Sequence, residues 1–213
     1  MSENIFEAKN LQKWFPVRRS ITDLLKRRQS YVKAVDGVTF SIRRGEIFGL
    51  VGESGCGKTT TGKMLMKLLE PTGGQMLLDG QDVTHITAER LKTYRREVQM
   101  VFQDPYASMN PRFRIRDVLE EPLLIHNVGE DHQERLKMVA RALTEVRLQP
   151  PEEYMERFPH MLSGGQRQRA ATARSLILNP KFIVADEPVS MIVLSSRAEI
   201  LHMMKQVQRE LQL

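Results

Sequence analysis

The chain has 213 residues, of which 41% are hydrophobic and 27% charged, with a net charge of +6. That suits a folded domain that buries its own core without cross-links, and the single cysteine, Cys56, excludes an internal disulfide and points to a reducing compartment. No apolar run approaches the ~20 residues of a membrane span, MSENIFEAKN lacks the apolar stretch of a signal peptide, and no aromatic interleaves a basic strand as a nucleic-acid stacking platform requires.

Phe6–Phe15 reads as a short strand closing on the aromatic pair Trp14 and Phe15. Arg18–Tyr31 reads as a loop or short helix inserted between strands. Its basic run, like Arg90–Arg96, is a solvated face. Val32–Arg43 alternates apolar and polar residues, which predicts a half-buried strand. Glu46–Val51 is a short apolar run of the kind found in buried parallel strands. After the glycine-rich Gly52–Gly57, Lys58–Leu69 has a helical pattern that Pro71-Thr72-Gly73-Gly74 ends. Gln75–Leu78 is a strand before the Asp79-Gly80 turn. Thr87–Arg96 is helical and Val98–Phe102 is a strand. Ile115–Phe158 is a mainly helical stretch punctuated by Pro122, Pro150 and Pro151. Ser163–Leu178 is helical, Phe182–Ala185 is a strand ending in Asp186-Glu187-Pro188, and Ser195–Leu213 is helical. Strands alternating with helices predict an α/β fold with a mostly parallel sheet. Into it are set a small antiparallel subdomain and a helical subdomain over residues 104–159.

The strongest chemical signal is Gly52-Glu53-Ser54-Gly55-Cys56-Gly57-Lys58-Thr59, a full match to G-x-x-x-x-G-K-[ST]. Glycines let successive backbone N–H groups converge on phosphate oxygens, and the helix that follows offers its positive end. Lys58 can reach the β- and γ-phosphates, and the Thr59 hydroxyl, followed by Thr60, can ligate Mg²⁺. The alternative, a glycine turn with a chance lysine, does not account for the apolar strand expected before it and the amphipathic helix after it. Asp186 ends an apolar strand, where it can stand beside the metal. Glu187 follows and can orient or deprotonate a water. Leu162-Ser163-Gly164-Gly165-Gln166 opens a helix with a capping serine and bare N–H groups, which serves either as a simple N-cap or as an anion seat.

With LSGGQ lying between the P-loop and the Asp186-Glu187 pair, the chain resembles the ATP-binding subunits of ABC transporters: a P-loop NTPase of the ABC ATPase type spanning residues 1–213. The resemblance implies ATP and Mg²⁺ as cofactors and a second cassette paired head to tail. Ser163, Gly164, Gly165 and Gln166 would then cap the γ-phosphate held by the partner. It also implies that Gln103 contacts Mg²⁺ and the attacking water, and that Phe15 lies under the adenine; the other reading of Phe15 is a core residue closing the small sheet. Phe102–Arg112 (FQDPYASMNPR) and the wording VGESGCGKTT are similar to oligopeptide, dipeptide and nickel importers. That similarity implies membrane-spanning permease partners, a peripheral place on the cytoplasmic face of the membrane, and no nucleic-acid partner. A non-transport ABC ATPase is the competing class, but such proteins carry coiled-coil insertions, zinc modules or tandem cassettes, and this sequence has one P-loop and no cysteine pair.

Two departures bear on activity. Val193 occupies the position of the family's D-loop aspartate, and valine can neither accept a hydrogen bond nor carry charge. All five histidines lie before residue 203, whereas the family's switch histidine falls beyond 213. A nucleotide-binding cassette with impaired hydrolysis is therefore the expectation for this polypeptide.

Overall fold

The computed structural model of the chain describes residues 3–17, 30–211 and 213. The expected insert at Arg18–Tyr31 lies outside the described residues except for Ser30 and Tyr31. The chain forms two compact units, Met1–Ala88 and Glu89–Leu213.

The N-terminal unit is built on a four-stranded antiparallel sheet. Strands β1 (Asn4–Pro16), β2 (Tyr31–Arg43), β3 (Gly73–Leu78) and β4 (Gln81–Asp82) lie in the order β2-β1-β3-β4. β1 is central: Ala8 faces Phe40 on one side and Met76 on the other. Phe6 and Ala8 of β1 are buried opposite Leu78 and Met76 of β3, the alternation a half-buried strand demands, and a register shift after Ala8 accompanies the burial of Leu11. Helix α1 (Lys58–Leu65) packs on β2.

α1 is shorter than its apolar pattern predicts, and the reason is local. Lys67 adopts a left-handed backbone, φ 53. Its N–H donates to Met64 O (2.9 Å) and the N–H of Leu68 donates to Lys63 O (2.9 Å), a Schellman termination in which lysine fills the usual glycine place. The Lys67 ammonium is buried and donates to Thr84 O (2.5 Å) and Glu70 Oε2 (3.0 Å), which compensates its desolvation. The second difference is at Glu46–Val51. The run joins no ladder among the described residues and is exposed along its length, with Val51 92% accessible. A strand needs a neighbour to pair its N–H and C=O groups, and hydrophobicity alone does not supply one.

In the C-terminal unit, helix α2 (Ala88–Glu97) leads directly into β5 (Val98–Val101), which pairs in parallel with β6 (Phe182–Ala185). The mostly parallel sheet of the sequence reading is thus a two-stranded ladder among the described residues, and the larger sheet is antiparallel. Between β5 and β6 run α3 (Ile115–Ile125), α4 (His132–Glu145), α5 (Pro151–Glu156) and α6 (Gly164–Leu176), with α7 (Leu194–Leu211) closing the unit. Their core includes Ile115, Leu119, Leu143, Leu162, Leu176 and Ile200. Ser175 Oγ donates to Met100 O (2.8 Å), tying α6 to β5. Pro122, expected to punctuate the helical stretch, sits buried inside α3. A proline there leaves the carbonyl four residues earlier without its helical donor, and Arg174 Nε from α6 donates to that carbonyl, Val118 O (3.3 Å). Buried Glu120 on α3 accepts from Arg135 Nε (2.8 Å) and pairs with His132 Nδ1 (2.8 Å), joining α3 to α4.

Candidate nucleotide-binding site

The P-loop belongs to the N-terminal unit, and its backbone is set by glycine. Gly57 has φ 96, and a Cβ on it would lie 2.2 Å from the backbone oxygen of Ala34 on β2. Only glycine brings the loop this close to β2 in that conformation. Lys58 Nζ folds over the loop and donates to Gly52 O and Glu53 O, each at 2.8 Å, with Cys56 Sγ 3.9 Å away. Cys56 N closes the turn onto Glu53 O (3.3 Å). Gly52 through Cys56 are exposed, as is Thr59. α1 begins at Lys58 with no side-chain cap and no acidic residue in its first turn. The ammonium, the glycine turn and an uncapped, acid-free helix start fit an anionic phosphate chain.

Beside the loop is a cleft of about 290 Å³, lined by Lys33, Val35 and Asp36 of β2 together with Cys56, Gly57 and Lys58. The β2 residues of this wall carry no motif; only the nearness of Gly57 to Ala34 reveals them. Phe15 is not among the lining residues. Its ring is 37% exposed at the end of β1, with the Lys13 ammonium 5.3 Å from its centroid. Trp14 is more engaged: Nε1 donates to Asp36 Oδ1 (3.0 Å), and Lys33 Nζ sits 4.5 Å from its ring centroid.

The remaining predicted residues belong to the C-terminal unit. The ladder of β5 and β6 places Gln103 and Asp186-Glu187 just past the ends of two paired strands, and Asp186 N extends it by donating to Val101 O (3.0 Å). Gln103 Nε2 donates to Glu187 Oε2 (3.0 Å). Glu187 has φ 44, a backbone conformation that costs a non-glycine residue of order 1–3 kcal/mol and concentrates at functional positions. Among the described residues no three His, Cys, Asp or Glu side chains are grouped to hold a metal. Mg²⁺ does not need such a cage, because it takes several ligands from phosphate and water.

Ser163 caps α6 in a reciprocal box: its Oγ accepts from Gln166 N (3.2 Å) and Gln166 Oε1 accepts from Ser163 N (3.0 Å). The serine hydroxyl hydrogen is still available to a ligand, since the hydroxyl acts only as acceptor in this box. Gly164 is exposed, and a Cβ there would meet nothing within 4 Å. Past Glu187, the loop is braced by Arg197, whose Nε donates to Ile192 O (3.0 Å). Val193 follows, 74% exposed.

The sequence pattern of the family described as "ABC transporter" matches residues 35–190, a span that holds the P-loop, Gln103, Ser163–Gln166 and Asp186-Glu187. The chain belongs to the ABC transporter family. It is 46% identical over 212 residues to the oligopeptide transport ATP-binding protein AppF of Bacillus subtilis, covering 99% of this chain and 63% of AppF. It is 42% identical over 211 residues to the dipeptide transport ATP-binding protein DppF of Escherichia coli, covering 99% of this chain and 61% of DppF. The chain thus spans less than two thirds of the length of these relatives. Among solved structures of ABC cassettes, it matches a dimeric post-hydrolysis state of the ATP-binding cassette MJ0796 bound to ADP and Pi. The TM-score is 0.80 and the identity 27%, over 96% of this chain and 83% of that one. CbiO1 of Clostridium perfringens, part of the cbiONQ complex, shares the fold at TM-score 0.81 and 24% identity, over 99% of this chain and 76% of that one. These cassettes and this chain share a mixed α/β ABC ATPase fold. Among the described residues no helix is long and apolar enough to cross a membrane.

Proposed function

We propose that the chain is the ATP-binding subunit of an ABC importer, and that it couples ATP binding and hydrolysis to the uptake of oligopeptides, dipeptides or related solutes. The observation that carries the reading is the Gly52–Thr59 cradle, with Gly57 packed against Ala34 and Lys58 folded over its rim. The relatives' names supply the solute class.

In this reading Lys58 exchanges its two backbone carbonyl partners for β- and γ-phosphate oxygens, a charge-assisted replacement for neutral acceptors. Gly52, Gly55 and Gly57 hold the loop open, and the N–H groups of Glu53 through Thr60 face the phosphates. The Thr59 hydroxyl of the P-loop and the Asp186 carboxylate at the end of β6 are the ligands that would serve Mg²⁺, which when bound would neutralise charge on the phosphates. Gln103 orients the attacking water, and Glu187 accepts its proton. Their 3.0 Å hydrogen bond holds the carboxylate in register beforehand. Phe15 offers an exposed ring to the adenine. Ser163, Gly164, Gly165 and Gln166 serve the nucleotide of a second cassette in a head-to-tail pair. The helical subdomain over residues 104–159 passes closure of that pair to membrane-spanning permeases, with the chain peripheral on the cytoplasmic face.

The test is co-expression with the permease pair of a peptide importer, followed by ATP-dependent peptide uptake into vesicles. Uptake that disappears with Lys58→Ala supports the reading. A chain that never co-purifies with permeases but retains nucleic acid overturns it. A second reading, a cassette that binds Mg-ATP but hydrolyses it slowly, is favoured by one observation, the exposed apolar Val193 in place of a D-loop aspartate.

A further inference from the structure

Two residues outside the predicted site join the Gln103 segment to the LSGGQ turn. Past Gln103 the chain makes an Asx turn in which Tyr106 N donates to Asp104 Oδ1 (2.8 Å). The guanidinium of Arg167 lies over the Tyr106 ring, 4.0 Å from its centroid. Arg167 Nε donates to Leu162 O (2.9 Å), the carbonyl immediately before Ser163, and Arg167 N donates to Ser163 O (2.9 Å). One side chain therefore grips the LSGGQ turn by hydrogen bond and the Gln103 loop by its planar face. Arginine suits this place because its plane can stack while Nε still donates in that plane, and a lysine ammonium cannot do both. The other end of the same loop is fixed by the Gln103–Glu187 bond (3.0 Å). The contacts run without a gap from Glu187 through Gln103, Asp104 and Tyr106 to Arg167 and Leu162, all within the C-terminal unit.

We infer that Tyr106 and Arg167 are positioning residues: they clamp the Gln103 loop to Leu162–Gln166, so that nucleotide at the chain's own site changes the LSGGQ turn it presents to a second cassette. This rests on the proposed nucleotide-binding function. Neither residue touches the reacting atoms. A Gln103 that released Glu187 would free the Asp104–Tyr106 turn to move with it, and the stacked guanidinium would carry that movement to the carbonyl of Leu162. The capping box of Ser163 and Gln166 is local to the turn and transmits nothing from Gln103.

The test is amide hydrogen exchange at Leu162–Gln166 in the full chain, with and without Mg²⁺ and a non-hydrolysed ATP analogue. The proteins compared are wild type, Tyr106→Phe, Tyr106→Leu and Arg167→Met, with urea unfolding to confirm that all four are folded. In Tyr106→Leu and Arg167→Met, exchange at these amides rises about fivefold, the scale of a lost partly exposed cation–π contact. The same two variants lose the nucleotide-induced change while analogue affinity stays within about twofold of wild type. Tyr106→Phe keeps the ring and behaves as wild type. Wild-type exchange with an intact nucleotide response in Tyr106→Leu overturns the clamp, and so does a Tyr106→Phe as defective as Tyr106→Leu. If wild type binds no analogue, the proposed function fails on that ground, and the nucleotide-free exchange rates of the four proteins still decide the clamp.

Discussion

Replacing Gly57 by alanine tests the physical basis of the phosphate cradle. The new Cβ would stand 2.2 Å from the backbone oxygen of Ala34 and 3.4 Å from Val35 Cγ2, on a residue at φ 96. The left-handed backbone alone costs an L-residue ~1–2 kcal/mol. No rotamer change relieves a clash with backbone, so the loop or β2 must move, at a further cost of about 1–3 kcal/mol. Alanine restricts the unfolded chain and returns about 0.4–1 kcal/mol. The net loss is roughly 1–5 kcal/mol, which at a mid-range urea dependence of ~2 kcal/mol per molar lowers the unfolding midpoint by about 0.5–2.5 M. Trp14, the only tryptophan, lies on β1 of the N-terminal unit, so its fluorescence follows the affected unit. Gly164→Ala is the contrast: its Cβ meets nothing within 4 Å and it opens a helix, where alanine is favoured over glycine by up to ~1 kcal/mol. A Gly57→Ala chain with an unchanged Trp14 midpoint and unchanged nucleotide affinity would refute the reasoning.

Lys58→Ala removes an ammonium that makes two 2.8 Å bonds across the loop; charge-assisted bonds contribute about 1.5–3 kcal/mol each, so Mg-ATP affinity falls at least about tenfold in a titration. Glu187→Gln leaves affinity intact and lowers phosphate release by about 100-fold or more, the contribution of a positioned base; equal release in both proteins removes Glu187 from that role. Val193→Asp restores an acceptor at an exposed position and raises turnover without changing the unfolding midpoint; an unchanged turnover removes Val193 as the cause of slow hydrolysis. The Glu120 carboxyl, which burial alone would raise, is held below its ordinary 4.5 by hydrogen bonds from Arg135 and His132. A depressed folded-state pKa gives stability that is full above pH 4.5 and is lost as pH falls below it. Glu120→Gln therefore destabilises the C-terminal unit at neutral pH and flattens the acid limb of its stability curve, as followed by circular dichroism.

The features legible in the sequence were those fixed locally. The capping serine of α6 and the strand ending in Asp186-Glu187 each depend on residues within a few positions, and each appears where the pattern puts it; of the P-loop's expected setting the helix that follows is present and the strand before it is not. What was not legible depends on partners distant along the chain. Glu46–Val51 has the composition of a buried strand, yet composition does not supply the neighbouring strand that makes one. Pro122 reads as a breaker because the sequence does not reveal that Arg174 will donate to Val118 O. The early end of α1 depends on a buried Lys67 whose acceptor, Thr84 O, is carried by a later loop. The stacking of Arg167 on Tyr106 is of the same kind: Tyr106 lies in the FQDPYASMNPR stretch and Arg167 just past LSGGQ, and only the fold brings the two together. Trp14 and Phe15, adjacent in sequence, are told apart by the bond from Trp14 to Asp36.

The central claim is that the Gly52–Thr59 loop binds Mg-ATP, and calorimetric titration of the chain with Mg-ATP, alongside Lys58→Ala, tests it most directly. The account predicts a saturable site of one nucleotide per chain in wild type that is lost or at least tenfold weaker in the variant. Equal binding by both proteins, or none by a wild-type chain whose Trp14 fluorescence shows it folded, would contradict it.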